Sequence, residues 1–156
     1  MKRYFMMIAA ALMLVTVASC EKYEDGKPSK DVRSEFNRMY PKAWDVEWEW
    51  IGGYWEVSFE TGDRPNGTDR KAWYDTEGNW IRTVTDVLLT SVPQNIKNYL
   101  QESEYGNAQF EDYDAEYFEV ASGDDFYRFD LVQGGREIEV DVSENGEVTP
   151  AQYGYF

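Results

Sequence analysis

Histidine is absent from this sequence and cysteine occurs once, at Cys20. Without imidazole there is no Ser-His-Asp triad, no Cys-His pair, no histidine general base and no histidine metal ligand, which excludes the commonest hydrolytic and zinc chemistries. A lone thiol forms neither an intramolecular disulfide nor a thiolate cage. Cations are scarce as well: 15 Lys plus Arg stand against 30 Asp plus Glu, a net charge of −15 over 156 residues. Binding to nucleic acid needs clustered Lys and Arg to displace counterions from phosphate, so no nucleic-acid partner is expected. Neither a metal nor another cofactor is implied.

What is present begins with an address. Lys2 and Arg3 form a basic start, and Phe5 to Val17 is an apolar run of secretory length, short for a membrane-spanning helix. It ends in Val17-Ala18-Ser19-Cys20, a tetrapeptide that resembles the bacterial lipobox. That chemistry requires a thiol at one place, because a thioether carries the diacylglycerol, and small residues before it let the peptidase close on the site. Residues 1–19 therefore read as a lipoprotein signal peptide, with Cys20 as the lipidation site. Processing leaves 137 residues from Cys20 to Phe156, and losing Lys2 and Arg3 takes the charge from −15 to −17. Several acyl chains, each buried methylene contributing about 0.8 kcal/mol, would hold the protein on a bilayer without spanning it. Residues 20–30 are polar, with Gly26 and Pro28, and read as a short tether.

The remainder reads as a duplication. Val32, Phe36, Met39 and Tyr40 make one apolar helical face, ended by Pro41, and Val92, Ile96, Tyr99 and Leu100 repeat that spacing sixty residues later. Ser91 and Gln94 have the spacing of a capping box at the start of the second helix. Trp44, Val46, Trp48 and Trp50 alternate with acidic residues, and after Gly52-Gly53 so do Trp55, Val57 and Phe59. Ala72 and Tyr74 follow, before a turn at Glu77-Gly78. The second half offers Tyr127, Phe129 and Leu131, then Ile138, Val140 and Val142 before Asn145-Gly146, a strong hairpin signal. The expected fold class is α+β: two tandem modules, residues 31–88 and 89–156, each one helix packed on an antiparallel sheet of three or four strands. Residues 102–122 read as an insertion adding a hairpin.

Together the lipobox, the helix ending in Tyr40-Pro41, the strand Tyr54-Trp55-Glu56-Val57-Ser58-Phe59, the turn Tyr74-Asp75-Thr76-Glu77-Gly78, the Val92-Pro93 helix start and the segment Val140-Asp141-Val142-Ser143-Glu144-Asn145-Gly146 resemble the PepSY-like, beta-lactamase-inhibitor-like lipoproteins of Bacteroidetes. The likeness runs from Asp31 to Val148. It implies tandem helix-plus-sheet modules in a periplasmic or surface lipoprotein with no assigned activity.

Two chemical readings compete with a plain surface. Asp45, Glu47, Glu49, Glu137, Glu139 and Asp141 all sit opposite an apolar strand face, where solvated charge explains them better than a glycosidase-type carboxylate pair. Asp141 to Gly146 matches the opening of an EF-hand loop, but Gln152 stands where the bidentate carboxylate belongs, so a hairpin is expected. Asn66-Gly67-Thr68 has the form of a glycosylation acceptor and reads as a loop turn. Aromatics make up 17% of the chain. Trp44, Trp48, Trp50, Trp55 and Tyr74 fall in phase with the core, whereas Tyr54, Trp73 and Phe126 fall out of phase; exposure of these three would make a partner-binding surface. The expected function is a non-enzymatic binding module of the cell envelope, most simply at the outer membrane, inhibiting or chaperoning a protein partner of basic character. The alternatives are a structural or assembly lipoprotein and, more remotely, an envelope enzyme working through acidic residues.

Overall fold

In the computed structural model, which describes residues 21–151, the first helix begins where its sequence supplies a cap. The Ser29 hydroxyl accepts from the Val32 amide at 3.3 Å, and helix α1 runs over Lys30–Met39 with Asp31 in its first turn and Arg38 in its last, complementing the helix dipole. Helix α2, Gln94–Glu102, starts differently from expectation. Pro93 is the cap residue and no side chain caps the helix; Gln94 donates instead to Asn98. The proline ring presets the entering φ near −56°, so the chain turns into the helix without the Ser91 box.

Among the described residues ten strands accompany the helices: β1 (Lys22–Tyr23), β2 (Trp44–Ile51), β3 (Tyr54–Thr61), β4 (Thr68–Tyr74), β5 (Trp80–Leu88), β6 (Gln109–Phe110), β7 (Asp114–Val120), β8 (Phe126–Gln133), β9 (Arg136–Ser143) and β10 (Val148–Pro150). They form one sheet in the order β1-β2-β3-β4-β5-β7-β8-β9-β10, with β6 added on β8. All pairings are antiparallel except β1 with β2. The fold is therefore α+β, with a single sheet where two smaller ones were expected. The segment read as an insertion contains β7, a central strand that joins the two halves by pairing with β5 from Arg82↔Val120 to Leu88↔Asp114. The segment read as a tether lies along the sheet edge: Glu24 donates its amide to the Trp48 carbonyl at 3.2 Å and Pro28 is buried.

Each helix has its own core on one face of the sheet. Val32 and Phe36 pack with Val46, Trp48, Val57, Phe59, Ala72 and Tyr74, the Phe36 ring meeting Trp48 and Phe59 edge-on at 5.3 and 5.0 Å. Val92, Ile96 and Leu100 pack with Ala115, Phe129, Leu131, Val140 and Val142. Between the cores the helix face turns polar: Thr83, fully buried, shares a 2.6 Å hydrogen bond with the Tyr40 hydroxyl and accepts from the Trp80 indole at 2.9 Å. The hairpin turns after β4 and β9 are closed alike, by Asp75 N to Asn79 O and Gly78 N to Asp75 O, and by Ser143 N to Glu147 O and Gly146 N to Ser143 O. A Cβ at Gly78 would stand 3.1 Å from the Asp31 backbone, and one at Gly146 3.0 Å from the Tyr99 ring, each on its own half's helix. Both glycines have φ near +90°.

Among the described residues the opposite face has no helix, and two aromatic assignments change there. Trp73 is buried, at 4% exposure, against Val84 and Phe118, with Tyr54, Ile81, Val120 and Phe126 partly buried around it. Alternation alone placed Trp73 in water; side chains converging from neighbouring strands remove it. Trp44 is not in the helix-side core: a bulge at Asp45, with φ 52°, puts it opposite Glu60 on the open face under the Arg64 guanidinium. Trp50 and Trp55 meet at 5.0 Å near the hairpin end, Trp50 being 38% exposed. Trp48, Phe129 and Tyr74 are buried as expected. Because Trp73 is the better buried ring, Trp73→Ala should lower stability by about 3 to 5 kcal/mol and Trp55→Ala by less, as measured by urea unfolding of the two variants.

Candidate binding face on the uncovered side of the sheet

Strand alternation sets what this face carries. Rows of paired residues cross it, one running Glu47, Ser58, Lys71, Val84, Phe118, Phe126 and another Glu49, Glu56, Trp73, Arg82, Val120. The first row brings Phe118 and Phe126 into a stacked pair, 4.5 Å apart and 11° from parallel. Two arginines lie on these rings: Arg82 over Trp73 at 4.3 Å and Arg128 over Phe118 at 4.8 Å. Arg128 is further held by a two-pronged bond to Asp141, Nε to Oδ1 at 2.7 Å and Nη2 to Oδ2 at 2.9 Å, with Glu139 at 3.7 Å. Asp141 is thus committed to Arg128 and the following residues form the β9–β10 hairpin, the non-calcium reading of that loop.

Two depressions adjoin across β3, β4, β5 and β7. One, of about 460 Å³, is lined by Ile51, Gly52, Glu56, Lys71, Trp73, Val84 and Glu116. The other, of about 380 Å³, shares Lys71, Val84 and Glu116 and adds Asp45, Glu47, Glu60, Asp69 and Asp86. Arg70, also at its edge, alternates to the helix face, where it stands 3.9 Å from Glu119. Carboxylates therefore dominate the second, whereas in the first Glu56 and Glu116 flank a mainly apolar lining. Burial raises the Glu116 carboxyl above the ordinary Glu value of 4.5, and repulsion from Asp86, Asp130 and Glu139 adds to this against the opposing pull of Arg128. Burial likewise raises Glu56, with Lys71 opposing, and raises Asp86, with Asp69 and Asp114 reinforcing.

Of the three out-of-phase rings, the structure brings all into one apolar cluster, Trp73 at its centre and Tyr54 and Phe126 at its margins. Reasoning from sequence missed Val84, Phe118, Glu56 and Glu116. Val84 lies in Thr83-Val84-Thr85, where polar Thr83 and Thr85 occupy the helix face and are buried, so the alternation reads inverted. Among the described residues no group of three or more His, Cys, Asp or Glu is placed to hold a metal ion, and no helix is long and apolar enough to cross a membrane. Cys20 lies outside the described residues.

An antiparallel sheet with both helices on one face and an uncovered side-chain surface on the other is an α+β architecture. The chain belongs to the family described as "Putative beta-lactamase-inhibitor-like, PepSY-like", whose model matches residues 53–149. Its fold is shared by a BLIP-like protein from Bacteroides fragilis, at 22% identity and a TM-score of 0.69, covering 83% of this chain and 90% of that one. A protein from Bacteroides eggerthii described as periplasmic is similar at 19% identity and TM-score 0.67, covering 83% and 94%. A DUF2874 family protein from Bacteroides ovatus is similar at 22% identity and TM-score 0.68, covering 83% and 92%. No functionally curated protein matches.

The raised carboxyls make stability depend on pH. A carboxyl raised in the folded state binds its proton there at a pH where the unfolded chain has lost it, so its stabilising effect is complete below about 4.5 and disappears as pH rises through the folded value. Glu35 and Asp75, both lowered, act in the opposite sense only below their ordinary values of 4.5 and 3.8. The urea midpoint should therefore rise as pH falls from 7 toward 4.5, and Glu116→Gln should flatten that rise.

Proposed function

We propose that this chain is a non-enzymatic, lipid-anchored protein of the cell envelope that binds a protein partner through the uncovered face of its sheet, as an inhibitor or chaperone of that partner. The observation that carries the reading is the face itself: an apolar cluster around Trp73, continued by one mainly apolar and one acidic depression, on the side that neither helix covers. A fixed aromatic patch with a charged surround is the composition of protein contact surfaces. Tyr54, Trp73 and Phe126 are assigned to this contact, Tyr54 and Phe126 at its accessible margins and Trp73 as its support. The inhibitor-like family and the periplasmic description of the B. eggerthii protein favour the same class and compartment.

Two tandem modules, residues 31–88 and 89–156, fit this reading. Each contains one helix and four sequential antiparallel strands, β2 to β5 and β7 to β10, the second adding the short β6, and the matched Gly78 and Gly146 turns each meet their own helix. Duplication places Tyr54 and Phe126 at equivalent positions on opposite sides of the central cluster.

The face can be located in living cells. With a benzophenone side chain at Lys71 or Asp86, both exposed, irradiation should yield a discrete protein adduct, whereas Asn37 and Asn98, exposed on the helices, should yield none. Adducts from the helix positions alone would move the contact to the other face, and none from any position would favour a structural role. The anchor is tested separately: fatty-acid label should enter the native chain and be lost in Cys20→Ser.

A further inference from the structure

The chemistry of the larger depression specifies what the partner presents, an inference that rests on the binding reading above. Its floor is apolar, made by Trp73 and Val84, 4% and 5% exposed, with Ile51 beside them. Its rim carries Glu56 and Glu116, and the adjoining depression continues the carboxylates through Asp69 and Asp86. An apolar floor with carboxylates at its rim is complementary to a side chain with an aliphatic stem and a cationic head. The face already uses this combination within itself, since Arg128 lies over Phe118 while its guanidinium binds Asp141.

We propose that the depression receives an arginine or lysine side chain from a basic, extended segment of the protein partner, its stem on the apolar floor and its head at the carboxylate rim that Glu56 and Glu116 supply. The next cation of that segment, two residues along an extended chain, meets Asp69 and Asp86. Glu116, partly buried and repelled by Asp86, Asp130 and Glu139, and Glu56, partly buried and repelled by Glu49, are costly to keep charged, and an incoming cation relieves this where a neutral or anionic ligand does not. Two cations already stand beside the floor, Arg82, over the Trp73 ring at 4.3 Å, and the competitor at the rim, Lys71. Its ammonium is 3.9 Å from Glu56, but its side chain is 58% exposed and can move into solvent when a better-placed cation enters. The occupant is a protein segment and not a nucleic acid or an anionic lipid, because both would bring negative charge to this face.

The test uses the purified full chain and a synthetic heptapeptide alternating arginine with leucine, with the citrulline-for-arginine peptide as the uncharged match. Calorimetry should show the arginine peptide binding at least about tenfold more tightly than the citrulline peptide, and weakening at about 0.3 M salt. Glu56→Gln/Glu116→Gln should abolish that preference, while Glu77→Gln/Glu102→Gln, which removes equal charge from exposed positions in the turn after β4 and at the end of α2, should retain it. Lys71→Gln should tighten binding. Asp86→Asn, at an exposed position, should weaken it and serves where the double variant fails to fold. Equal affinity for the two peptides, or equal losses in the two double variants, would overturn the proposal. Cellular adducts at Lys71 and Asp86 without arginine preference would sink the cationic specificity and leave the binding face standing; arginine preference without adducts would do the reverse.

Discussion

Two helices of ten and nine residues cannot cover both faces of a ten-stranded sheet, and everything distinctive about this protein follows from which face they leave bare. The β5–β7 ladder makes that bare face continuous. Without it each half would end in an unpaired edge, and the aromatic cluster that draws on β4, β5, β7 and β8 would have no common floor. The halves are therefore joined by main-chain hydrogen bonds and not by helix-to-helix packing. Side chains complete the joint from both directions: Thr83 takes the Tyr40 hydroxyl on the helix face, and Val84, the next residue, meets Trp73 and Phe118 on the other.

A face left without helices must still keep large rings out of water. Here it does so by stacking Phe118 on Phe126 and laying arginines over the rings of Trp73 and Phe118. The same crowding half-buries Glu56 and Glu116 among other carboxylates. These are unfavourable placements in an isolated domain, and they are concentrated on this face, whereas the acidic residues of the helix ends and turns are exposed or satisfied. Asp75, which accepts from the Glu77 and Asn79 amides, is an example of the latter. Strain of this electrostatic kind is what a complementary cation would release.

The outer edge of the sheet follows a related logic. Strand β2 is eight residues long, and the chain immediately after Cys20 lies against it as β1, with Lys22 paired to Glu47 and the Asp25 carboxylate accepting from the Trp50 amide at 3.4 Å. Polar residues that look like a flexible linker are thereby used to cover an edge that would otherwise invite strand addition.

The helical stripes Val32-Phe36-Met39-Tyr40 and Val92-Ile96-Tyr99-Leu100, the alternating strands around Trp48, Val57, Phe129 and Val140, and the Asn145-Gly146 hairpin were all legible in the residues, because each depends on neighbours within a few positions. The same local rules failed at Trp44, where one bulged residue reverses the face, at Ser91, where a proline takes over the start of the helix, and at the strand Asp114–Val120, whose two-sided burial hides its period. The acidic excess and the absence of histidine narrowed the chemistry before any fold was considered. That Trp73 is enclosed, and that Glu56 and Glu116 share a depression with it, was settled only when four strands, far apart along the chain, came side by side. A strand's alternation says which residues share a face, but burial on that face depends on side chains that other strands bring to it.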